Sequence, residues 1–407
     1  MTTSFDEKLR GIIRHAYDNA QAVKKIFDKA GLTPDDVQAL NDLDKVPVTS
    51  KDRLVELQQA EPPFGGFLAV PIDKLQHVFF SPGPLYEPHA GESAVMDTIR
   101  EMFGVVGFES GDVVINTFGY HLIPTGLAVD QVLTEMGATV IPAGVGNADL
   151  QIKMMLDLKA TGYIGTPSWL ITLIQKAEEM GLDFGKAFSL KKALVSAEPL
   201  PPQMRQAFVE KYGLEITNAY GTAELGFLAY NTEGGLAMRF LESSIVQVVN
   251  PETGVSVGAG ESGEVVVTTF NETYPLIRLG TGDLAMNVDP APGKSRQGER
   301  SIILVGRVGD AVKVRGMFVH PNQLSFAIGQ VPGVKGFQAA VTRPENRDEF
   351  ALRVVLEDET ADKEMLTEIL SQAVQSACRV KLDQVVFVSA EEVGEGAEII
   401  SDKRTWE

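Results

Sequence analysis

The densest chemistry in the sequence lies in NAYGTAELG, residues 218 to 226, where an aromatic ring, a glycine, a hydroxyl and a carboxylate fall close together. Tyr220 offers a face for a planar base, Gly221 lets backbone approach a ligand, Thr222 supplies a hydroxyl, and Glu224 is a hard oxygen donor suited to magnesium. A plain turn is the alternative, since YG dipeptides are common in turns. In YPLIRLGTGDLA, 274 to 285, Asp283 follows a Thr-Gly turn, where its carboxylate can accept two hydrogen bonds from a ribose diol; an Asx-type turn is the simpler reading. GRVGDAVKVRG, 306 to 316, offers Arg307, a planar donor for ribose or phosphate oxygens, and Gly309, able to absorb a backbone rotation. A surface hairpin is the plain alternative there.

These residues need a scaffold, and the apolar spacing supplies one. Residues 5 to 30 carry helical spacing that stops at Gly31, and VPVTSKDRLVEL from Val46 reads as an extended turn with Ser50 capping a helix. From residue 112 the chain alternates β-like apolar runs with helix-like runs: DVVINTF, ATVIPAG, TGYIGTP, KKALVSAEP and LEITNAYG. Strands alternating with helices predict a parallel sheet covered on both faces, with ligands beyond the carboxyl ends of the strands. Phe118 to His121, Thr166 to Ser168, Ser196 to Glu198 and Ala219 to Glu224 are expected to share that rim. After residue 240 short alternating strands predict an antiparallel region, and the last ninety or so residues predict a small α+β domain. The expected architecture is α/β: a large domain over 1–308, with mainly parallel sheets flanked by helices plus a β region, and a small mobile α+β domain over 309–407.

Composition narrows the function. The 407 residues carry a net charge of −19, which disfavours long-range attraction to nucleic acid or anionic membranes while leaving room for a small anionic ligand in a local pocket. The N-terminus lacks the apolar core of a signal peptide and no run is long enough to span a bilayer, so the expected location is cytoplasmic. The single cysteine, Cys378, permits neither an internal disulfide nor a cysteine-clustered metal site and reads as a small core residue. The five histidines show no metal-ligand spacing, and His121, on the predicted rim after FGY, is the one with a candidate role.

Order joins these signals. YGTAE, then PLIRLGTGD, then GRVGDAVKVRG resembles the adenylate-forming enzymes, and RHAYDNA, LDKVPVTSKDRL, FGYHLIPTGL, GATVIPAGVGN, IGTPSWL, SAEPLP and FVHPNQL resemble their phenylacetate-CoA ligase branch over about four fifths of the chain. The resemblance implies a two-step ligase: a carboxylate attacks ATP with magnesium to give an acyl-adenylate, a small domain rotates, and coenzyme A displaces AMP. By position, Ser196, Ala197 and Glu198 would border the adenine with Asn218, Ala219 and Tyr220, Gly221 lying beside them. Glu224 would bind magnesium near Thr222, Asp283 and Arg307 would hold the ribose, and Gly309 falls at the hinge. Phe118, Tyr120, His121, Pro124, Gly126, Thr166 and Pro167 would serve the acyl pocket. Relatives suggest a homodimer. The partners implied are a small carboxylic acid and coenzyme A, with no nucleic acid or membrane.

The chain also departs from the family. SPGPLYEP, from Ser81 to Pro88, stands in the register of a hydroxyl- and glycine-rich phosphate loop, keeping Ser81, Gly83 and Pro88. Pro82 and Pro84 have no N–H, and Glu87 brings negative charge to a lysine position. The C-terminal lysine of the family is replaced by alanine or a gap in EGAEIISDKRTWE, with Lys403 as the nearby substitute. Three readings follow: an aryl- or acyl-CoA ligase with a rebuilt loop, an enzyme working from an already activated acyl group, and a regulatory pseudoenzyme.

Overall fold

The computed structural model describes residues 5–81, 84–91, 94–315, 317–344, 348–358, 360–393 and 398–404. The chain forms two compact units. One comprises Met1–Gln247, Val266–Thr281 and Asp289–Ile302, and the other Val248–Val265, Gly282–Val288 and Ile303–Glu407.

In the first unit the opening helical run is interrupted at Ala20, whose extended backbone separates α1 (Phe5–Asn19) from α2 (Gln21–Ala30). Gly31, at φ 69°, ends α2 in the left-handed conformation that glycine tolerates. β1 (Thr49–Ser50) pairs with Leu279–Gly280, and Ser50 then caps α3 (Lys51–Ala60) by accepting from the Arg53 N–H at 3.2 Å. The segment in phosphate-loop register is a hairpin of β2 (His77–Ser81) and β3 (Leu85–His89), paired from His77 with His89 to Ser81 with Leu85. Side-chain alternation turns Phe79, Ser81, Leu85 and Glu87 inward and leaves Val78, Phe80 and Tyr86 exposed.

α4 (Ala94–Val106) leads into the alternating region: β4 (Val113–Asn116), α5 (Thr125–Glu135), β5 (Thr139–Pro142), α6 (Ala148–Asp157), β6 (Gly162–Gly165), α7 (Pro167–Glu179), β7 (Lys192–Val195) and β8 (Glu215–Thr222). All five expected strands form, every neighbouring pair is parallel, and their order is β8-β7-β6-β4-β5. β9 (Gly226–Asn231) and β10 (Met238–Phe240) extend the sheet antiparallel. The strands read as continuous apolar runs because both faces are covered. Val114, Ile164, Leu194 and Ala219 join α4 and α5 in one core, while Ile115, Tyr163, Ala193 and Val195 join α6 and α7 in the other.

The second unit contains a four-stranded sheet in which Val334–Thr342 and Glu349–Leu356 pair antiparallel and are flanked by Ile400–Asp402 and Gln384–Phe387, each parallel to its neighbour. The helices Pro321–Gly329 and Lys363–Cys378 contribute Leu324, Ile328, Leu370 and Val374 to its core. Cys378 is buried there, and desolvation pushes its thiol up to about 12, which leaves it a packing residue. Among the described residues no helix is long and apolar enough to cross a membrane.

Candidate active site

The carboxyl ends of the parallel strands carry the first unit's candidate residues. Ser196, immediately after β7, is buried and donates from Oγ to Ala219 O at 2.8 Å, tying the rims of β7 and β8 together. Ala197 follows at φ 69°, a conformation that costs an L-residue about 1 to 2 kcal/mol and is usually left to glycine. Glu198 is exposed and accepts from the Ser168 N–H at 3.3 Å. On β8, Asn218 is half-buried, Ala219 is core, and the buried Tyr220 places its hydroxyl 3.5 Å from Thr281 Oγ1.

The β8-β9 turn is tightly built. A register shift falls between Tyr220 and Gly221, and a Cβ at Gly221 would stand 2.3 Å from Gly226 O. Gly226 is itself at φ 75°, where a Cβ would meet Thr98 Oγ1 at 2.3 Å. Thr222 Oγ1 is buried without a hydrogen-bond partner among the described residues. Glu224 is 2% exposed at its side chain, and Lys51, the first residue of α3, brings its ammonium 3.1 Å from Oε1 and donates to Oε2 at 3.3 Å. Oε1 lies in ion-pair range but outside hydrogen-bond alignment. A buried anionic oxygen of this kind suits a hard cation. Lys51 is the part of the site that spacing alone missed; its signal was a cation directly after a helix cap in VPVTSKDRL.

Beside this turn lies a cavity of about 240 Å³. Val95 and Ile99 of α4, Phe118, Ile123, Val129 of α5 and Phe227 of β9 make its apolar wall. Thr125, Ser196 and Thr222 are its polar positions, and none of its lining residues is ionisable. Phe118 and Pro124 of the expected acyl set line it, together with Ser196, Ala197, Gly221 and Thr222. The other expected acyl residues stand elsewhere. Tyr120 OH donates to Asp130 at 2.9 Å and accepts from Asn116 at 2.9 Å, and burial raises the pKa of this phenol. His121 is exposed; Gly126 packs in the first turn of α5, where a Cβ would be 2.3 Å from Gly119 O. Thr166 and Pro167 start α7, with Thr166 Oγ1 accepting from the Trp169 N–H at 3.3 Å. The α4 positions were hidden in the sequence because helical apolar spacing marks core and cavity walls alike.

The β2-β3 hairpin spends donors that a phosphate loop would offer. Phe80 N–H donates to Leu122 O at 2.7 Å, and Tyr86 N–H to Gln58 Oε1 at 2.8 Å. Gln58 Nε2 returns to Tyr86 O and to Tyr274 OH, both at 2.8 Å, fixing the hairpin to α3. Ser81 is buried, and its Oγ makes no well-aligned hydrogen bond among the described residues. Glu87 is only 3% exposed, and desolvation raises its carboxyl to about 7. The nearby Ser81 hydroxyl and Lys51 oppose that rise, and Glu224 adds to it. Gly83 lies outside the described residues.

In the second unit, Arg307 Nη1 donates to Asp283 Oδ1 at 2.5 Å, with the arginine mostly exposed and the carboxylate largely covered. Glu264, absent from the sequence reading, lies behind the pair. It accepts from the Gly282 N–H at 2.9 Å, and burial raises its carboxyl. Gly309 sits exposed in the 3-10 turn Val308–Asp310, and a Cβ there would meet no described atom within 4 Å. Lys403 is exposed, its backbone N–H donating to Val341 O at 2.9 Å. The alanine at the family's lysine position, Ala397, lies outside the described residues. Among the described residues no group of three or more His, Cys, Asp or Glu gathers as a metal site.

Comparison with known proteins fits this geometry. A family described as AMP-binding enzyme matches residues 94–271. Phenylacetate-coenzyme A ligase of Aromatoleum evansii is 31% identical over 343 residues, which cover 80% of this chain and 74% of that protein. The chain belongs to the adenylate-forming superfamily, in its phenylacetate-CoA ligase-like branch. It is thereby an AMP-forming acid–thiol ligase by family. Phenylacetate-coenzyme A ligase of Escherichia coli (strain K12) is 29% identical, covering 86% of this chain and 82% of the relative. The fold is also that of 2-hydroxyisobutyryl-CoA ligase, solved in an open conformation with 2-HIB-AMP and CoA, at a TM-score of 0.82 and 24% identity over 98% of this chain and 90% of that one.

Proposed function

We propose that this ligase converts a carboxylic acid with an apolar, ring-bearing body into its coenzyme A thioester, using ATP and passing through an acyl-adenylate. The observation that carries the reading is the cavity beside the β8-β9 turn. An apolar cavity of about 150 Å³ is enough to admit benzene. One of about 240 Å³ without an ionisable wall residue therefore has room for a ring and a short linker, and rejects a second charge on the acid.

In this reading Phe118, Pro124 and the α4 residues enclose the acyl group, and Ser196, Ala197, Glu198 and Asn218 to Gly221 border the adenine. Asp283 and Arg307 hold the ribose. Glu224 would hold magnesium, which neutralises phosphate charge when bound. Thr222 serves the phosphate end of the turn, Lys403 replaces the missing C-terminal lysine, and the domain that rotates begins at Gly309. Adenylation turns a poor electrophile into a mixed anhydride, so the chain's task is positioning and charge compensation rather than acid or base chemistry.

The loss of hairpin donors at Phe80 and Tyr86 favours a second reading, an enzyme that accepts an acyl-adenylate and skips the first half-reaction. Carboxylate-dependent ATP–pyrophosphate exchange decides between them. Exchange with phenylacetate or benzoate and none with short dicarboxylates is the expected result. AMP binding without exchange for any acid overturns the first reading, and unchanged AMP affinity in Asp283→Ala overturns the ribose assignment.

A further inference from the structure

The frame of the cavity beside the β8-β9 turn contains a hydroxyl that joins two of its walls. Thr98 lies in α4, is 1% exposed and is not among the residues lining the cavity. Its Oγ1 donates to Val95 O at 2.7 Å and accepts from the Phe227 N–H at 3.0 Å. Val95 and Phe227 both line the cavity, as does Ile99, the residue after Thr98. The Thr98 hydroxyl therefore connects the α4 wall to the β9 wall, with its donor and one acceptor site both engaged.

The bond to Val95 is ordinary, since a threonine in a helix often donates to a carbonyl of the preceding turn. The bond to Phe227 spans 129 positions of the chain and falls where the ladder is irregular. Phe227 pairs with Gly221, next to the register shift between Tyr220 and Gly221. Gly226, the first residue of β9, sits so close to α4 that a Cβ there would stand 2.3 Å from Thr98 Oγ1 and 3.2 Å from Val95 Cγ1. Glycine at 226 thus permits the close approach, and the Thr98 hydroxyl holds its distance. A valine at 98 would have the same shape without the acceptor, and non-bonded carbon contacts settle at about 3.5 to 4.0 Å. Phe227 would then have to move away from α4, and the space between them would widen.

We propose that Thr98 is a positioning residue that sets the width of the cavity and, through it, the size limit on the body of the acid. This rests on the reading of the cavity as the acyl site. The limit acts between Val95 and Phe227, so it selects by bulk rather than by charge.

The test titrates the full chain with phenylacetate, 4-methylphenylacetate and 4-ethylphenylacetate by calorimetry, with acid-dependent thioester formation from ATP and coenzyme A followed in parallel. A methylene more or less in an apolar pocket is worth about 10-fold or more. Thr98→Val is therefore expected to raise the affinity for the 4-ethyl acid relative to phenylacetate by about 10-fold over the parent, in KM rather than in kcat. Thr98→Ser, which keeps the hydroxyl, retains the parent's ratio. A ratio in Thr98→Val within about two-fold of the parent overturns the proposal, because a purely structural role weakens all the acids alike. A shift in Thr98→Ser as large as that in Thr98→Val assigns the effect to the methyl group and overturns it as well, as does a parent that binds none of the acids. If Thr98→Val fails to fold, Thr98→Ala decides by the same ratio: a shift toward the 4-ethyl acid supports the assignment, and an unchanged ratio overturns it. The expected shift in titration, with a parent that forms no thioester, would remove the ligase reading and leave Thr98 as the residue that sets the cavity's width.

Discussion

Two short segments of the first unit are built in opposite ways. NAYGTAELG follows its family in outline, with its hydroxyl at Thr222 one place earlier than the usual pattern, and is irregular in structure, with a register shift at Gly221, a left-handed Gly226 and, across the rim, a left-handed Ala197. FFSPGPLYEP departs from the family in sequence, and its strand residues pair in regular register in β2 and β3. Irregular backbone leaves room and unpaired polar groups at a ligand; a regular ladder consumes them. The difference leaves polar groups open at the β8-β9 turn and closes them at the hairpin, where Glu87 is buried instead.

The largest expected effect tests the irregular segment. Gly221→Ala would drive a Cβ to 2.3 Å from Gly226 O and 2.9 Å from Phe227 Cα, and backbone cannot move aside as a side chain can. A stability loss of about 3 kcal/mol in urea unfolding, with loss of AMP binding, is the expected outcome. A fully stable Gly221→Ala would mean that the β8-β9 turn is slack and the contrast with the hairpin is unfounded.

A smaller effect tests the hairpin. The Glu87 carboxyl, ordinarily at 4.5, is raised to about 7 in the folded chain, so the folded state holds this proton more tightly than the unfolded one. The resulting penalty is absent below pH 4.5, grows as the pH rises toward 7 and is complete above it. Glu87→Gln should therefore gain about 2 to 3 kcal/mol on the parent as the pH rises from 4.5 to 8 without divalent metal, over and above the constant cost of an unsatisfied amide at both pH values. Equal stability of the two proteins at both pH values would show that Glu87 is solvated.

The smallest effect concerns Ala197. Replacing it by glycine removes the strain of φ 69° while loosening the unfolded chain, so Ala197→Gly should change stability by less than about 1 kcal/mol. Its expected consequence is weaker nucleotide binding through loss of a fixed rim. Tighter binding would assign the strain at Ala197 to the unliganded state.

The parallel sheet was legible in the sequence because strands buried on both faces must be uninterrupted apolar runs, and DVVINTF, TGYIGTP and KKALVSAEP have no other use for that pattern. The helix cap at Ser50 and the core character of Cys378 were legible for equally local reasons, a hydroxyl before a helical run and a lone thiol without a partner. The break at Ala20 was not, since alanine carries no local signal to leave the helix.

Much of the cavity lining was hidden as well. Phe118 and Pro124 were named from the rim, but Val95, Ile99, Val129 and Phe227 come from three elements whose apolar spacing is that of any core. Tyr120 looked like a lining residue, and it is the Asn116 and Asp130 side chains that take up its hydroxyl.

By itself the sequence determined the family, the α/β order of elements and the types of residue available at the carboxyl rim, because these depend on composition and local period. Tertiary structure decided that Glu87 is buried rather than solvated and that Lys51 pairs with Glu224. Those outcomes depend on how the hairpin packs on α3 through Gln58 and how the β8-β9 turn meets Lys51, contacts between residues far apart in the chain. FFSPGPLYEP thus announced lost phosphate donors, and only the pairing of β2 with β3 gave Glu87 its buried position.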